Sequence, residues 1–191
     1  TLRIYTVNPV TTLVIPLNTT YLSSGTSRNF QCNTTGSSLD SQFLYSNFSG
    51  AFSLNQTISG ITSGVVSNYY KNFSDGMYLW SCAANRTIAG VNTFSFQGNF
   101  TFTLDTLAPS LNISPIITTL GSQTVTANTN TTDRNINNCT YAIYNDVGAV
   151  DGLNNNVTFT CNSPITATVT AFNTYSFYVY ANDSAGNLNS S

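Results

Sequence analysis

Two stretches of this 191-residue chain repeat one another, and that repeat limits the fold more than any other feature. Residues 78–92 read YLWSCAANRTIAGVN, and residues 175–189 read YSFYVYANDSAGNLN. Each copy is an apolar, aromatic-rich run followed by an Asn/Ala/Gly turn, which is the signature of a β-hairpin. After Asn92 the first copy continues through TFSFQGNFTFTLD to Asp105, an alternating apolar strand. After Asn189 the second copy has only Ser190 and Ser191. A β-unit short of its closing strand exposes an edge, and exposed edges recruit other chains.

The repeat extends beyond the hairpins. With Asp105-Thr106-Leu107-Ala108-Pro109 as the junction, the first unit opens on PVTTLVIPLNTTYLSSGTSRNFQCNTT and the second on PSLNISPIITTLGSQTVTANTNTT. Pro16 matches Pro115, Thr19-Thr20 match Thr118-Thr119, Gly25 matches Gly121, and FQCNTT matches VTANTN. The chain therefore divides into a segment 1–8, a domain 9–107 and a domain 108–191. Each domain carries several short strands separated by turn signals within roughly 85–100 residues, the pattern of a β-sandwich. Tyr, Phe, Thr, Val and Ile are plentiful and helical Ala-Leu-Glu-Lys stretches are missing, so the fold class is all-β. No apolar run approaches the roughly 20 residues of a membrane-spanning helix, so direct membrane insertion is not expected. The start at Thr1 fits a processed, mature form.

Charge is nearly absent: one Lys, four Arg, seven Asp, no Glu and no His. A net charge of −2 provides no basic patch, so nucleic acid is not an expected partner. Something other than charge must solubilise the surface. Asn-x-Ser/Thr sequons begin at Asn18, Asn33, Asn47, Asn55, Asn72, Asn85, Asn99, Asn112, Asn130, Asn138, Asn156, Asn182 and Asn189. Chance matching in a chain this rich in Asn, Ser and Thr would give about half of these 13. The excess fits a sugar-coated extracellular protein, with N-linked glycans in the place of charged side chains. The other reading is an Asn/Thr-rich β-protein with accidental matches. Asn138 adjoins Cys139, a crowded position. Without His or Glu, no side chain of ordinary pKa titrates between roughly 5 and 7.5, so the fold should tolerate pH swings.

The Asp105–Pro109 junction followed by a fresh unit, and the hairpin string Ala-Asn-Asp-Ser-Ala-Gly-Asn at 181–187, resemble tandem immunoglobulin-like modules of prokaryotic surface proteins. On that resemblance Cys32 and Cys82 occupy the second and penultimate strands, where an inter-sheet disulfide belongs. The matching positions of the second unit are Ala127 and Val179. Cys139 must then pair elsewhere, and Cys161 is its nearest candidate. Four Cys allow three connectivities; Cys32–Cys82 with Cys139–Cys161 is the expected one, against free thiols or a metal site. With no His and no C-x-x-C, a zinc site is not expected. Bridges imply an oxidising compartment outside the cytoplasm.

The first unit ends on Asn99-Phe100-Thr101-Phe102-Thr103-Leu104-Asp105, whose Phe100, Phe102 and Leu104 share one face. Residues 101–109 read TFTLDTLAP and residues 1–9 read TLRIYTVNP. Leu2 thus stands where Phe102 stands, Ile4 where Leu104 stands, and Thr6 where Thr106 stands. The chain carries a spare strand in the register that the last strand of the first unit holds. Two readings follow. Residues 1–7 insert into the second unit of another copy, a head-to-tail contact that generates an open filament. Alternatively they pair with the first unit as an ordinary first strand.

A charge-poor, sequon-rich secreted chain with such a spare strand resembles the thread-filament subunits of Sulfolobus-like thermoacidophilic archaea. Those threads are similar to bacterial type I pilins in using donor-strand complementation. The resemblance implies two immunoglobulin-like β-sandwiches, the second lacking its last strand, and a donor strand carrying Leu2, Ile4 and Thr6. It implies a cell-surface, extracellular filament whose partners are identical subunits. The alternative is a monomeric adhesin or glycan-binding module, for which Trp80 and the Tyr residues would supply a platform; strand alternation favours core packing for them. Catalysis is not expected: no His and no Glu remove the usual triads and most acid–base pairs, and the Asp residues stand in turn contexts. No Asp-x-Asp-x-Asp-Gly run marks a calcium loop, and no cofactor is expected. Lys71, the only Lys, is a candidate for an amide cross-link to Asn or Asp, with a surface lysine as the plainer reading.

Overall fold

The computed structural model describes residues 8–114, 116–118, 123–171 and 174–191. It divides between Asp105 and Thr106 into two compact units. The described residues contain strands and no helix, and therefore no helix long and apolar enough to cross a membrane.

The strands of the first unit are β1 (Val10–Ile15), β2 (Thr20–Leu22), β3 (Ser27–Thr35), β4 (Leu39–Ser46), β5 (Ser53–Ser59), β6 (Val66–Asn72), β7 (Gly76–Ile88), β8 (Val91–Phe96) and β9 (Phe100–Leu104). One sheet has the order β1-β3-β6 and the other β2-β9-β7-β4-β5, with β8 pairing the far half of β7. This is an immunoglobulin-like sandwich: β1 and β2 divide the first strand between the two sheets, and β7 to β9 form the last hairpin. The two-residue turn Ala89-Gly90 has φ of 49° and 80°, as a primed hairpin turn requires.

Alternation sets the core. Phe30 and Cys32 on β3, Leu44 on β4, Trp80 and Cys82 on β7, and Phe102 on β9 are all 0% exposed. Phe102 is the hub. Its ring lies 5.5 Å from Phe30, 5.3 Å from Phe73 and 5.2 Å from Tyr78 between centroids. At one level the core is polar: Gln42 donates to Thr34 Oγ1 at 2.6 Å and accepts from the Tyr69 hydroxyl at 3.2 Å. Because these buried groups satisfy each other, a polar layer is tolerated inside the sandwich.

The second unit contains β10 (Ser110–Ile113), β11 (Ile117–Thr118), β12 (Thr124–Ala127), β13 (Thr129–Thr132), β14 (Ile136–Asn145), β15 (Val157–Phe159), β16 (Ile165–Thr168), β17 (Tyr175–Asp183) and β18 (Leu188–Ser190). β12 and β13 are one strand interrupted at Asn128; β11-β12-β16 and β10-β13 form one layer. β15-β14-β17-β18 form the other. The plan is that of the first unit. Tyr141, Ile143, Ile165, Ala167, Val169 and Val179 make the core. A tyrosine corner marks the same place in both units: Tyr78 donates to the Ser74 carbonyl at 2.9 Å, and Tyr175 to the Ala171 carbonyl at 3.0 Å.

Candidate functional site

The two units differ most at the outer edge of the penultimate strand. In the first unit β7 is paired along its whole outer edge. β8 takes Ala83 to Ile88 and β9 takes Gly76 to Trp80. β9 is held on its far side as well, by a parallel pairing with β2 that sets Thr20 opposite Phe102 and Leu22 opposite Leu104.

In the second unit β14 pairs with β17 from Tyr175 to Asp183. On the outer edge, β18 pairs only with Tyr180, Ala181 and Asn182, and Ser191 exchanges backbone hydrogen bonds with Val179. Among the described residues, no strand pairs with the outer edge from Tyr175 to Tyr178. The exposed edge expected from the sequence is therefore confined, among the described residues, to Tyr175 to Tyr178. The short strand LNS escapes a sequence reading because it carries no alternation: Leu188 is exposed and only three residues pair. Among the described residues, the second unit has no counterpart of β9.

The open edge shows in the packing of the described residues. The Val179 amide bonds outward to Ser191, so strand alternation aims the amides of Tyr175 and Phe177 at the open edge. Tyr175 and Phe177, on the core-facing side of β17, are only half-buried. Trp80, in the position of Phe177, is fully buried under its own hairpin and β9. Leu111, Val125 and Phe159 of the second unit are half-buried too. Phe177 stacks on Tyr141 at 5.6 Å and 6°; among the described residues, none of the second unit takes the part of Phe102. The site is a backbone edge beside a partly covered apolar cleft, suited to taking an extended strand with alternate apolar side chains.

The donor positions Leu2, Ile4 and Thr6 lie outside the described residues. Cys32 and Cys82 are disulfide-bonded, linking β3 to β7, and so are Cys139 and Cys161; no cysteine is free. Ala127 and Val179 are buried as the apolar pair that replaces the first bridge. Of the sequons, Asn18, Asn72, Asn99, Asn112, Asn130 and Asn156 are exposed, and Asn33, Asn47, Asn55, Asn85, Asn138, Asn182 and Asn189 are half-buried. None is buried. Three use the side-chain carbonyl and leave the amide nitrogen to carry a sugar or a weaker bond: Asn18 accepts from Thr101, Asn47 from Leu79 and Asn85 from Ser41, each through its backbone N–H.

Lys71 stands opposite Arg28 in the β3–β6 register, and among the described residues no Asn or Asp side chain hydrogen-bonds it. Burial pushes the Tyr69 phenol well above its usual range and raises that of Tyr141 as well. Trp80, Tyr69 and Tyr141 belong to the cores. Tyr144, Tyr178 and Tyr180 do not; they line an outward groove of about 610 Å³ on the β14–β17 face. The core packing expected of the tyrosines holds for Tyr69 and Tyr141 but not for Tyr144, Tyr178 and Tyr180, because β17 carries aromatic residues on both of its faces.

No family model matches the chain, and no curated protein matches it. Solved structures do match it. The fibronectin(III)-like modules of Clostridium thermocellum CbhA are 13% identical, at a TM-score of 0.46 over 95% of this chain and 90% of that one. A 1.5-MDa bacterial ice-binding adhesin is 14% identical, at a TM-score of 0.46 over 97% of this chain and 63% of that one. The chicken CNTN1 FN1–FN3 domains are 12% identical, at a TM-score of 0.38 over 92% and 67%. The immunoglobulin-like assignment rests on the strand order above.

Proposed function

We propose that the protein is the structural subunit of an extracellular, glycosylated filament. In this reading it polymerises head-to-tail by donor-strand complementation. The observation that supports it is the half-covered core beside the unpaired edge of Tyr175 to Tyr178, set against a first unit that is closed by Phe102 and Leu104. Residues 1–7 of another copy would lie along that edge. Leu2 and Ile4 would take the parts of Phe102 and Leu104, with Thr6 following them, and the backbone would bond the free amides of β17. The contact is heterologous, so it propagates rather than closing on itself. Sequons and disulfides suit a cell-surface location. With Arg28 opposite it and no Asn or Asp side chain hydrogen-bonded to it among the described residues, Lys71 is read in its plainer role as a surface lysine.

Electron microscopy of the purified native protein tests this reading. It predicts thin filaments, and monomers prone to aggregation once residues 1–7 are deleted. Normal filaments from the truncated chain would defeat it. The groove of Tyr144, Tyr178 and Tyr180 supports a second reading, a monomeric glycan-binding adhesin. That reading predicts compact particles that bind a saccharide and form no polymer at any concentration.

A further inference from the structure

Three of the sequons share a longer pattern. Tyr45-Ser46-Asn47-Phe48-Ser49, Tyr70-Lys71-Asn72-Phe73-Ser74 and Tyr180-Ala181-Asn182-Asp183-Ser184 each place a Tyr two residues before the Asn. Tyr supplies 11 of 191 residues, so the thirteen sequons would meet one there about once by chance. In a strand, residues two apart face the same side. At Tyr70/Asn72 on β6 and Tyr180/Asn182 on β17 the pattern therefore sets a phenol ring beside the side chain that receives the sugar, whereas Asn47 lies just past the end of β4. Tyr70 and Asn72 both lie on β6 and both face outward, with Tyr70 68% exposed. No core packing accounts for so exposed a ring.

The site around Asn182 is the most developed. Asn182, Tyr180, Tyr178 and Ser176 lie on the outer side of β17, away from the core residues Val179 and Ala181. At about 3.3 Å per residue, Tyr180 is about 7 Å and Tyr178 about 13 Å from Asn182 along the strand. Across the sheet, Thr140 faces Tyr180, Ala142 faces Tyr178 and Tyr144 faces Ser176. The small Ala142 leaves room for the Tyr178 ring to meet Tyr144 edge-on, at 5.6 Å between centroids. Their groove of about 610 Å³ carries Asn145, Asp146 and Ser176 at its polar margin. The Asn145 side-chain carbonyl accepts from the Val147 and Ala149 amides, which fixes that margin.

We propose that this groove holds the first sugars of an N-glycan carried by Asn182 of the same chain. The apolar C–H face of one pyranose lies on Tyr180 and that of the next on Tyr178, edged by Tyr144. Their hydroxyls bond the phenol oxygens and donate to the Asp146 carboxylate. The occupant is set by position: a sugar linked at Asn182 reaches these rings in strand order. Asn138 faces Asn182 directly, so the two sequons share one space and Asn182 is the one next to the rings. The inference rests on the glycoprotein part of the proposed function.

The test uses protein from a host that adds N-glycans, with the sequons mapped by glycopeptide mass spectrometry. The proposal expects Asn182 to be occupied in the wild type and in Tyr178→Ala/Tyr180→Ala alike. An amidase that cleaves N-glycans should release the Asn182 glycan from the folded double variant about tenfold faster than from wild type, given the worth of stacking on an aromatic ring. Tyr178→Phe/Tyr180→Phe, which keeps the rings, should stay near wild type and so separates stacking from misfolding. Equal release from wild type and the Ala variant overturns the proposal. So does a bare Asn182 beside other occupied sequons, or Tyr-dependent binding of free oligosaccharide to protein whose Asn182 glycan is intact. Bare asparagine at all thirteen sequons would instead remove the glycoprotein reading beneath it.

Discussion

The two units build the same sandwich and close it differently. In the first, β9 lies between β7 and β2 and drives Phe102 into a ring of aromatic side chains. In the second, three residues of β18 pin the turn end of the hairpin, and the rest of the β17 edge has no described partner. The buried layer differs too. Gln42, opposite Ala84, anchors a polar network with Thr34 and Tyr69; Cys139, opposite Ala181, holds the second disulfide at the matching level. Both units carry a disulfide, Cys32–Cys82 in the first and Cys139–Cys161 in the second, but only at the Gln42 level of the first does a hydrogen-bonded network stand where the second places a cystine.

Substitutions at matched positions sharpen this contrast. The largest effect is expected for Phe102→Ala, which should destabilise the first unit by about 3–5 kcal/mol in denaturant titrations. Phe177→Ala, at a half-buried position, should cost the unassembled chain clearly less, and the difference should narrow in assembled protein. Equal costs in dissociated chains would break the comparison.

Next come the disulfides. Opening Cys32–Cys82, which spans 50 residues, should cost about 4 kcal/mol; opening Cys139–Cys161, which spans 22, should cost about 3 kcal/mol. Paired Cys→Ala variants measured by denaturation check both values. The second loss should fall on the unit with the open edge.

Gln42→Ala is expected to cost about 1–3 kcal/mol, because it strands the buried Tyr69 hydroxyl, while Thr34 keeps its contact with Thr11 at 3.2 Å. Thermal melts of Gln42→Ala and of the double variant with Tyr69→Phe test this: the second substitution should recover part of the loss. The smallest effect is one of pH. Burial raises the Tyr69 phenol in the folded state, so the unfolded chain gives up that proton first as pH rises through about 10. Stability of the first unit should therefore fall above pH 10, and less steeply in Tyr69→Phe. Identical pH profiles would remove Tyr69 from the account.

Much of this was readable in the sequence, for physical reasons. The hairpin copies carry their turn chemistry and period, and the final strand of the first unit shows its buried face through Phe102 and Leu104. Both disulfides join cysteines that the unit repeat sets apart. Other features need the third dimension. β18 pairs through backbone and a few polar side chains, which leave no periodic trace. Gln42 reads as an ordinary strand glutamine until Thr34 and Tyr69 surround it. The tyrosine corners were within reach, since Tyr78 and Tyr175 hold the same place in the two copies. The sequence raises a tyrosine platform but sets it in the core, because aromatic residues on both faces of β17 hide which ones point outward.

The central claim is that an added strand completes the β17 edge, and amide hydrogen exchange at Tyr175 and Phe177 tests it most directly. Both amides should exchange slowly in native assemblies. They should exchange at near-unprotected rates in chains lacking residues 1–7, while Tyr180 to Asn182, paired with β14 and β18, change little. Exchange at Tyr175 and Phe177 that is equally fast, or equally slow, in the two forms would contradict the account.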